Sequence, residues 1–152
     1  MKFNLEQVKV FENYEIENWE EGQVTLTTKV VDSSLNYYGN AHGGYLFTLC
    51  DQVSGLVAIS TGYEAVTLQS NINYLRAGRL DDLLTVIGTC VHNGRTTKVV
   101  DVHIKNQKGE MVTTAIFTMF VTGEKREVKK VGVRQRLFNS FFYWEKDEKM
   151  IY

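Results

Sequence analysis

The sequence contains no proline in its 152 residues and only two cysteines, Cys50 and Cys90. Two cysteines are too few for a disulfide scaffold, so both read as reduced thiols. Residues 1–12 hold no apolar run of the kind a secretory leader needs. Nowhere do apolar residues approach the roughly 20 in a row that span a bilayer. The expected setting is therefore the cytoplasm, without a membrane partner. Charge of one sign is also scarce overall, with 17 Lys and Arg against 18 Asp and Glu and a net charge of −1. Disorder is excluded by composition, since 43% of residues are hydrophobic and 23% charged. The length is that of one domain, able to bury roughly two thirds of its unfolded surface.

The near-zero charge hides an asymmetry. Residues 1–123 carry 9 Lys and Arg against 13 Asp and Glu, whereas residues 124–152 carry 8 against 5. Lys125, Arg126, Lys129, Lys130, Arg134 and Arg136 crowd the start of that second part, and Phe138, Phe141, Phe142, Tyr143 and Trp144 follow them. We therefore divide the chain into a core, residues 1–123, and a basic, aromatic extension, residues 124–152, whose spacing predicts a short helix. Basic and aromatic residues are grouped there rather than interleaved, which argues against nucleic acid as a partner.

Gln23 to Val31 alternates as a half-buried strand does, and Ala65–Leu75, Leu83–Val91, Thr96–Lys105 and Met111–Val121 are rich in Val, Ile, Thr and aromatics. Ala77-Gly78, Asn93-Gly94 and Lys108-Gly109 separate them, and Asn-Gly is a strong hairpin signal. His42 to Thr61 differs in kind. It is apolar nearly all round, as a buried helix is, and Gly62 suits its C′ position. Tyr45, Leu49, Val53, Leu56 and Ile59 form one packing stripe, and Gly44, Thr48, Asp51, Gly55 and Ala58 form a second, mostly small one. A buried helix followed by a long antiparallel meander with short connections predicts an α+β fold in which a sheet wraps the helix.

The chemistry concentrates in Asn36-Tyr-Tyr-Gly-Asn-Ala-His42-Gly43-Gly44 and in Asp51. Two glycines at a helix start allow close approach to unpaired first-turn N–H groups, and the helix dipole there favours a developing oxyanion. Asp51 within an apolar helix is costly unless paired or used, and burial would raise its pKa toward that of a general base. Gly43 and Asp51 are eight residues apart, roughly 12 Å along one helix. One small reacting group cannot touch both. Antiparallel helices from two chains meeting on the small stripe would bring one chain's Gly43 to the other's Asp51, in a symmetric dimer. His92, His103 and the cysteines lack metal-ligand spacing. Cys50 reads as a buried thiol.

Asn36, His42-Gly43-Gly44 and Asp51 nine residues beyond the histidine together resemble the hotdog-fold acyl-CoA thioesterases, in particular their PaaI-like branch. The resemblance spans about residues 20–122 and continues through Val66 to Leu75 and Asn93-Gly94-Arg95-Thr96. It implies hydrolysis of an acyl-CoA thioester in a dimer or tetramer, with coenzyme A as part of the substrate and no separate cofactor. By the same resemblance, Gly43 N–H polarises the carbonyl, Asp51 attacks it or activates water, and Asn36 holds water or thioester. His42 shapes the turn, and Thr67 orients the aspartate or water. Gly44, Arg76, Arg79, Gly94, Arg95 and Thr96 become candidates for binding coenzyme A. Arg76 stands where relatives often carry proline. The rival readings are a hotdog enoyl-CoA hydratase or dehydratase, whose His and carboxylate arrangement is not visible, and a non-catalytic acyl-CoA-binding module.

Overall fold

Six strands and one long helix make up the computed structural model, which describes residues 9–126. In chain order these are β1 (Glu15–Glu20), β2 (Gln23–Lys29), a 3₁₀ turn (Asp32–Ser34), α1 (Gly43–Ser60), β3 (Tyr63–Tyr74), β4 (Leu83–Asn93), β5 (Thr97–Lys105) and β6 (Met111–Glu124). The strands form one antiparallel sheet in the order β1-β2-β4-β5-β6-β3. The sheet curls around α1, which gives the α+β hotdog architecture. No helix among the described residues is long and apolar enough to cross a membrane. The expected terminal helix of the extension lies outside the described residues.

Alternation decides which face each strand turns to the helix. Val24, Leu26 and Thr28 of β2 are buried, as are Lys98, Val100, Val102 and Ile104 of β5. Tyr45, Leu49, Val53, Leu56 and Val57 of α1 meet them in one core. Gly88 of β4 sits directly under the helix. A Cβ there would lie 2.6 Å from Val53 and 2.9 Å from Val57, so only glycine lets helix and sheet come this close. Gly62 ends the helix as expected, with φ +90° and its N–H on the Ile59 carbonyl at 3.0 Å.

Three features depart from the sequence reading. β1 is absent from the sequence reading, because a bulge between Ile16 and Asn18 breaks its alternation and half of its six residues are glutamates. β3 pairs with β6 rather than with β4, so strands adjacent in sequence are not neighbours there. Ala58 is fully buried and does not continue the small stripe, whose accessible part is Gly44, Thr48, Asp51 and Gly55.

One edge of the sheet is β3, twelve residues long and hydrogen-bonded only on its β6 side. Its Val66 and Leu68 are 55% and 63% exposed. Glu64 is its single charged residue, so the edge carries little of what usually blocks pairing with another chain.

Candidate active site

The approach to α1 is a hairpin tip closed by the pairing of Leu35 with Ala41. Asn36 builds it. Its Oδ1 accepts from the N–H groups of Tyr38 at 2.9 Å and Asn40 at 3.1 Å, while Gly39, at φ +75°, donates to the Asn36 carbonyl at 3.0 Å. The carboxamide oxygen is thus used by the loop, and the NH₂ group is the end of that side chain with donors to offer. His42 is the N-cap. Its Nδ1 accepts from Gly44 N–H at 2.9 Å, a bond that requires Nδ1 to carry no proton. With the Gly44 donor taken, Gly43 N–H is the glycine donor among the orphan first-turn groups.

A residue overlooked in the sequence reading joins this cluster. Tyr74, at the far end of β3, donates its hydroxyl to the Gly43 carbonyl at 3.0 Å. A Cβ on Gly43 would lie 3.5 Å from its ring. Burial, and secondarily Cys50, raise the Tyr74 hydroxyl's pKa, so it remains a donor at neutral pH. The signal was present only as one more strand aromatic, which nothing in the sequence ties to Gly43.

Two turns along the helix, Asp51 is partly exposed within the chain rather than enclosed as its apolar flanks suggested. Thr67 of β3 donates its hydroxyl to Asp51 Oδ1 at 2.5 Å, with Met119 Sδ as a weaker neighbour at 3.7 Å. A bulge just after Thr67 interrupts the β3 and β6 register at this point. Cys50, next to the aspartate, is fully buried, and burial first, then the Asp51 charge, push its thiol up to about 12. Such a thiol is neutral at physiological pH and does not act as a nucleophile.

The coenzyme A candidates other than Gly44 fall into two groups at opposite ends of the helix. Arg76 and Arg79 lie at its N-terminal end. Arg79 bonds Asn40 Oδ1 at 2.5 Å, the Gly78 carbonyl accepts from Ala41 N–H at 2.9 Å, and Arg76 lies 3.7 Å from Glu110. Both arginines line a polar cavity of about 240 Å³ with Asp82, Lys108 and Glu110. Gly94, Arg95 and Thr96 form the β4–β5 loop at the other end. There Ser60, the last residue of α1, accepts from Gly22 N–H at 2.9 Å, and Gly22 in turn accepts from Cys90 N–H at 2.8 Å. One chain therefore does not bring all five together. Among the described residues, no group of three or more His, Cys, Asp or Glu is placed to hold a metal ion.

Sheet and helix together define the hotdog fold. A family model described as the thioesterase superfamily matches residues 38–113. The chain is 35% identical over 103 residues, 68% of its length and 72% of the relative's, to acyl-coenzyme A thioesterase PaaI of Escherichia coli. It therefore belongs to the thioesterase superfamily, in its PaaI-like branch. Among solved structures, a hypothetical thioesterase of Streptococcus pneumoniae TIGR4 with coenzyme A is 66% identical, with TM-score 0.80 over 82% of this chain and 100% of that one. Structures of the same protein with an aspartate and with a threonine replaced by alanine are similar to this chain too. A Streptococcus mutans UA159 protein bound to acetyl CoA is 61% identical, with TM-score 0.75 over 82% and 100%.

Proposed function

We propose that the chain hydrolyses an acyl-CoA thioester at sites shared by two subunits. The observation that carries this reading is Asp51, held by Thr67 on the accessible small-residue stripe of the helix whose N-terminus presents Gly43. In the S. pneumoniae relative, the replaced aspartate and threonine are sixteen residues apart, the separation of Asp51 and Thr67 here.

A dimer supplies the geometry one chain lacks. The uncharged stretch of β3 pairs with its counterpart, and the helices run antiparallel along Gly44, Thr48, Asp51 and Gly55. Gly43 N–H then polarises the thioester carbonyl while the partner subunit's Asp51 activates water, or attacks directly. With water, its oxygen bonds to the carbonyl carbon, the C–S bond breaks, and the thiol leaves with a proton that passes through the carboxylate. Asn36 holds water or the carbonyl, and His42 keeps the turn closed. Nine residues separate Asp51 from Ser60, so the partner's helix end lies roughly 13 Å beyond Gly43. The partner subunit's Gly94, Arg95 and Thr96 are thereby placed on the same side as Arg76 and Arg79, where the phosphates of coenzyme A would be met.

Thiol release from a panel of acyl-CoAs tests the reading. The native chain should release thiol, and Asp51→Ala should lose at least a hundredfold. A native chain that binds acyl-CoA and releases no thiol would be a binding module instead. Molar mass in solution tests the shared site, since a strict monomer cannot form it.

A further inference from the structure

Lys98 is the one buried charged side chain among the described residues, 1% exposed on the helix-facing side of β5. Its ammonium meets no carboxylate among the described ion pairs. Instead it donates to Asn93 Oδ1 and to the Gly94 carbonyl, the latter at 3.4 Å, and stands 4.4 Å over the Tyr63 ring. Two oxygens and an aromatic face all attract a cation. A buried ammonium is expensive, and apolar residues occupy the equivalent sites two, four and six positions along the same face. A lysine here therefore needs an explanation beyond packing.

Both oxygens belong to the start of the β4–β5 loop. Gly94 is tightly enclosed, since a Cβ on it would lie 2.7 Å from the Thr97 carbonyl and 2.7 Å from His92 Nε2. Gly94 N–H donates to that same Thr97 carbonyl at 3.0 Å, and Thr96 is tied to β6 through Val121 N–H at 2.9 Å. Arg95 is thus the exposed tip of a loop clamped on both sides, with Lys98 as its inner clamp. Neither Asn93 nor Gly94 adopts positive φ, so the loop is not held by the left-handed turn its Asn-Gly sequence usually forms. The lysine contacts take that place.

We infer that Lys98 is a positioning residue for the nucleotide end of the substrate: from inside the sheet it fixes the Gly94-Arg95-Thr96 loop in the shape that meets phosphate. This rests on the acyl-CoA reading above. Lys98 touches neither the thioester nor the groups that act on it. Its removal should therefore be felt only by substrates that carry the phosphates.

The test compares acetyl-CoA with acetyl-pantetheine, which keeps thioester and arm but lacks the phosphates and adenosine. Lys98→Met should raise KM for acetyl-CoA about five- to tenfold with kcat retained, and shift KM for acetyl-pantetheine by less than twofold. Asn93→Ala, which removes one of the ammonium's acceptors, should give the same split more weakly, and it decides the question alone if Lys98→Met does not fold. An equal effect on both substrates, or none on acetyl-CoA, overturns the inference. Arg95→Ala keeps the two levels apart. If it raises KM for acetyl-CoA while the Lys98 and Asn93 variants do not, only the role of Lys98 fails; if Arg95→Ala has no effect either, the phosphate reading of the loop fails with it.

Discussion

Replacing Thr67 by valine keeps the branched shape a strand position favours and deletes the hydroxyl that donates to Asp51 Oδ1 at 2.5 Å. A hydrogen bond to a charged group contributes about 1.5–3 kcal/mol net, and both residues reach solvent in the single chain, which favours the lower end. If the bond fixes Asp51 in its working orientation, its loss falls on the transition state. At about 1.4 kcal/mol per factor of ten, kcat/KM should drop about ten- to thirtyfold. Thiol release from acetyl-CoA measures this directly, with thermal unfolding as the check that the fold is intact. Thr67→Ser, which restores the donor, should recover activity to within about threefold of native. In an Asp51→Ala background the valine should add little, because the oxygen that accepts the Thr67 hydroxyl is already gone. A valine variant within twofold of native, or a serine variant as impaired as the valine, would show that Thr67 is only a strand residue.

Three further outcomes follow from the packing and the buried thiol. Gly88→Ala drives a Cβ to 2.6 Å from Val53, and should destabilise the fold by about 1–3 kcal/mol with a lowered Tm; an unchanged Tm would mean that the helix shifts away freely. Cys50 holds its proton to about pH 12 when folded, whereas an unfolded thiol loses it near 9. Stability is therefore lost as pH rises through this window, by about 2 kcal/mol at pH 10.5, and Cys50→Ala should flatten that limb in denaturant titrations. Iodoacetamide at pH 8 should correspondingly modify Cys90, which is half-buried, well before Cys50; mass spectrometry showing equal rates would contradict the burial.

The helix was legible because its evidence is local: apolar residues nearly all round from His42 to Thr61 and a terminating Gly62, whereas the capping role of His42 came only from the structure. β2 was legible by alternation, and β3, β4, β5 and β6 by their content of Val, Ile, Thr and aromatics and the turns between them. β1 was not, since its bulge removes the period on which such reading depends. Pairing of β3 with β6 is a long-range choice that no window of sequence contains. At the site, Asp51 stood out as a charge on an apolar helix, but its partner Thr67 gained meaning only from a resemblance. Tyr74 and Lys98 show the limit from two sides. The hydroxyl of Tyr74 reaches Gly43 across 31 positions, and Lys98 lies on the buried side of its strand's alternation, yet its contacts with Asn93, Gly94 and Tyr63 come from the folded loop.

The central claim is that each site takes Gly43 from one chain and Asp51 from the other, because roughly 12 Å of helix separates them within a chain. Co-expression of Asp51→Ala with Gly43→Val tests it. The valine crowds the approach to the N–H, and its Cβ meets the Tyr74 ring at an ordinary 3.5 Å. Each variant alone should be nearly inactive. Random pairing makes about half the dimers mixed, each with one intact site, so the mixture should regain about a quarter of native specific activity. A mixture no more active than the mean of its two parents would contradict the shared site.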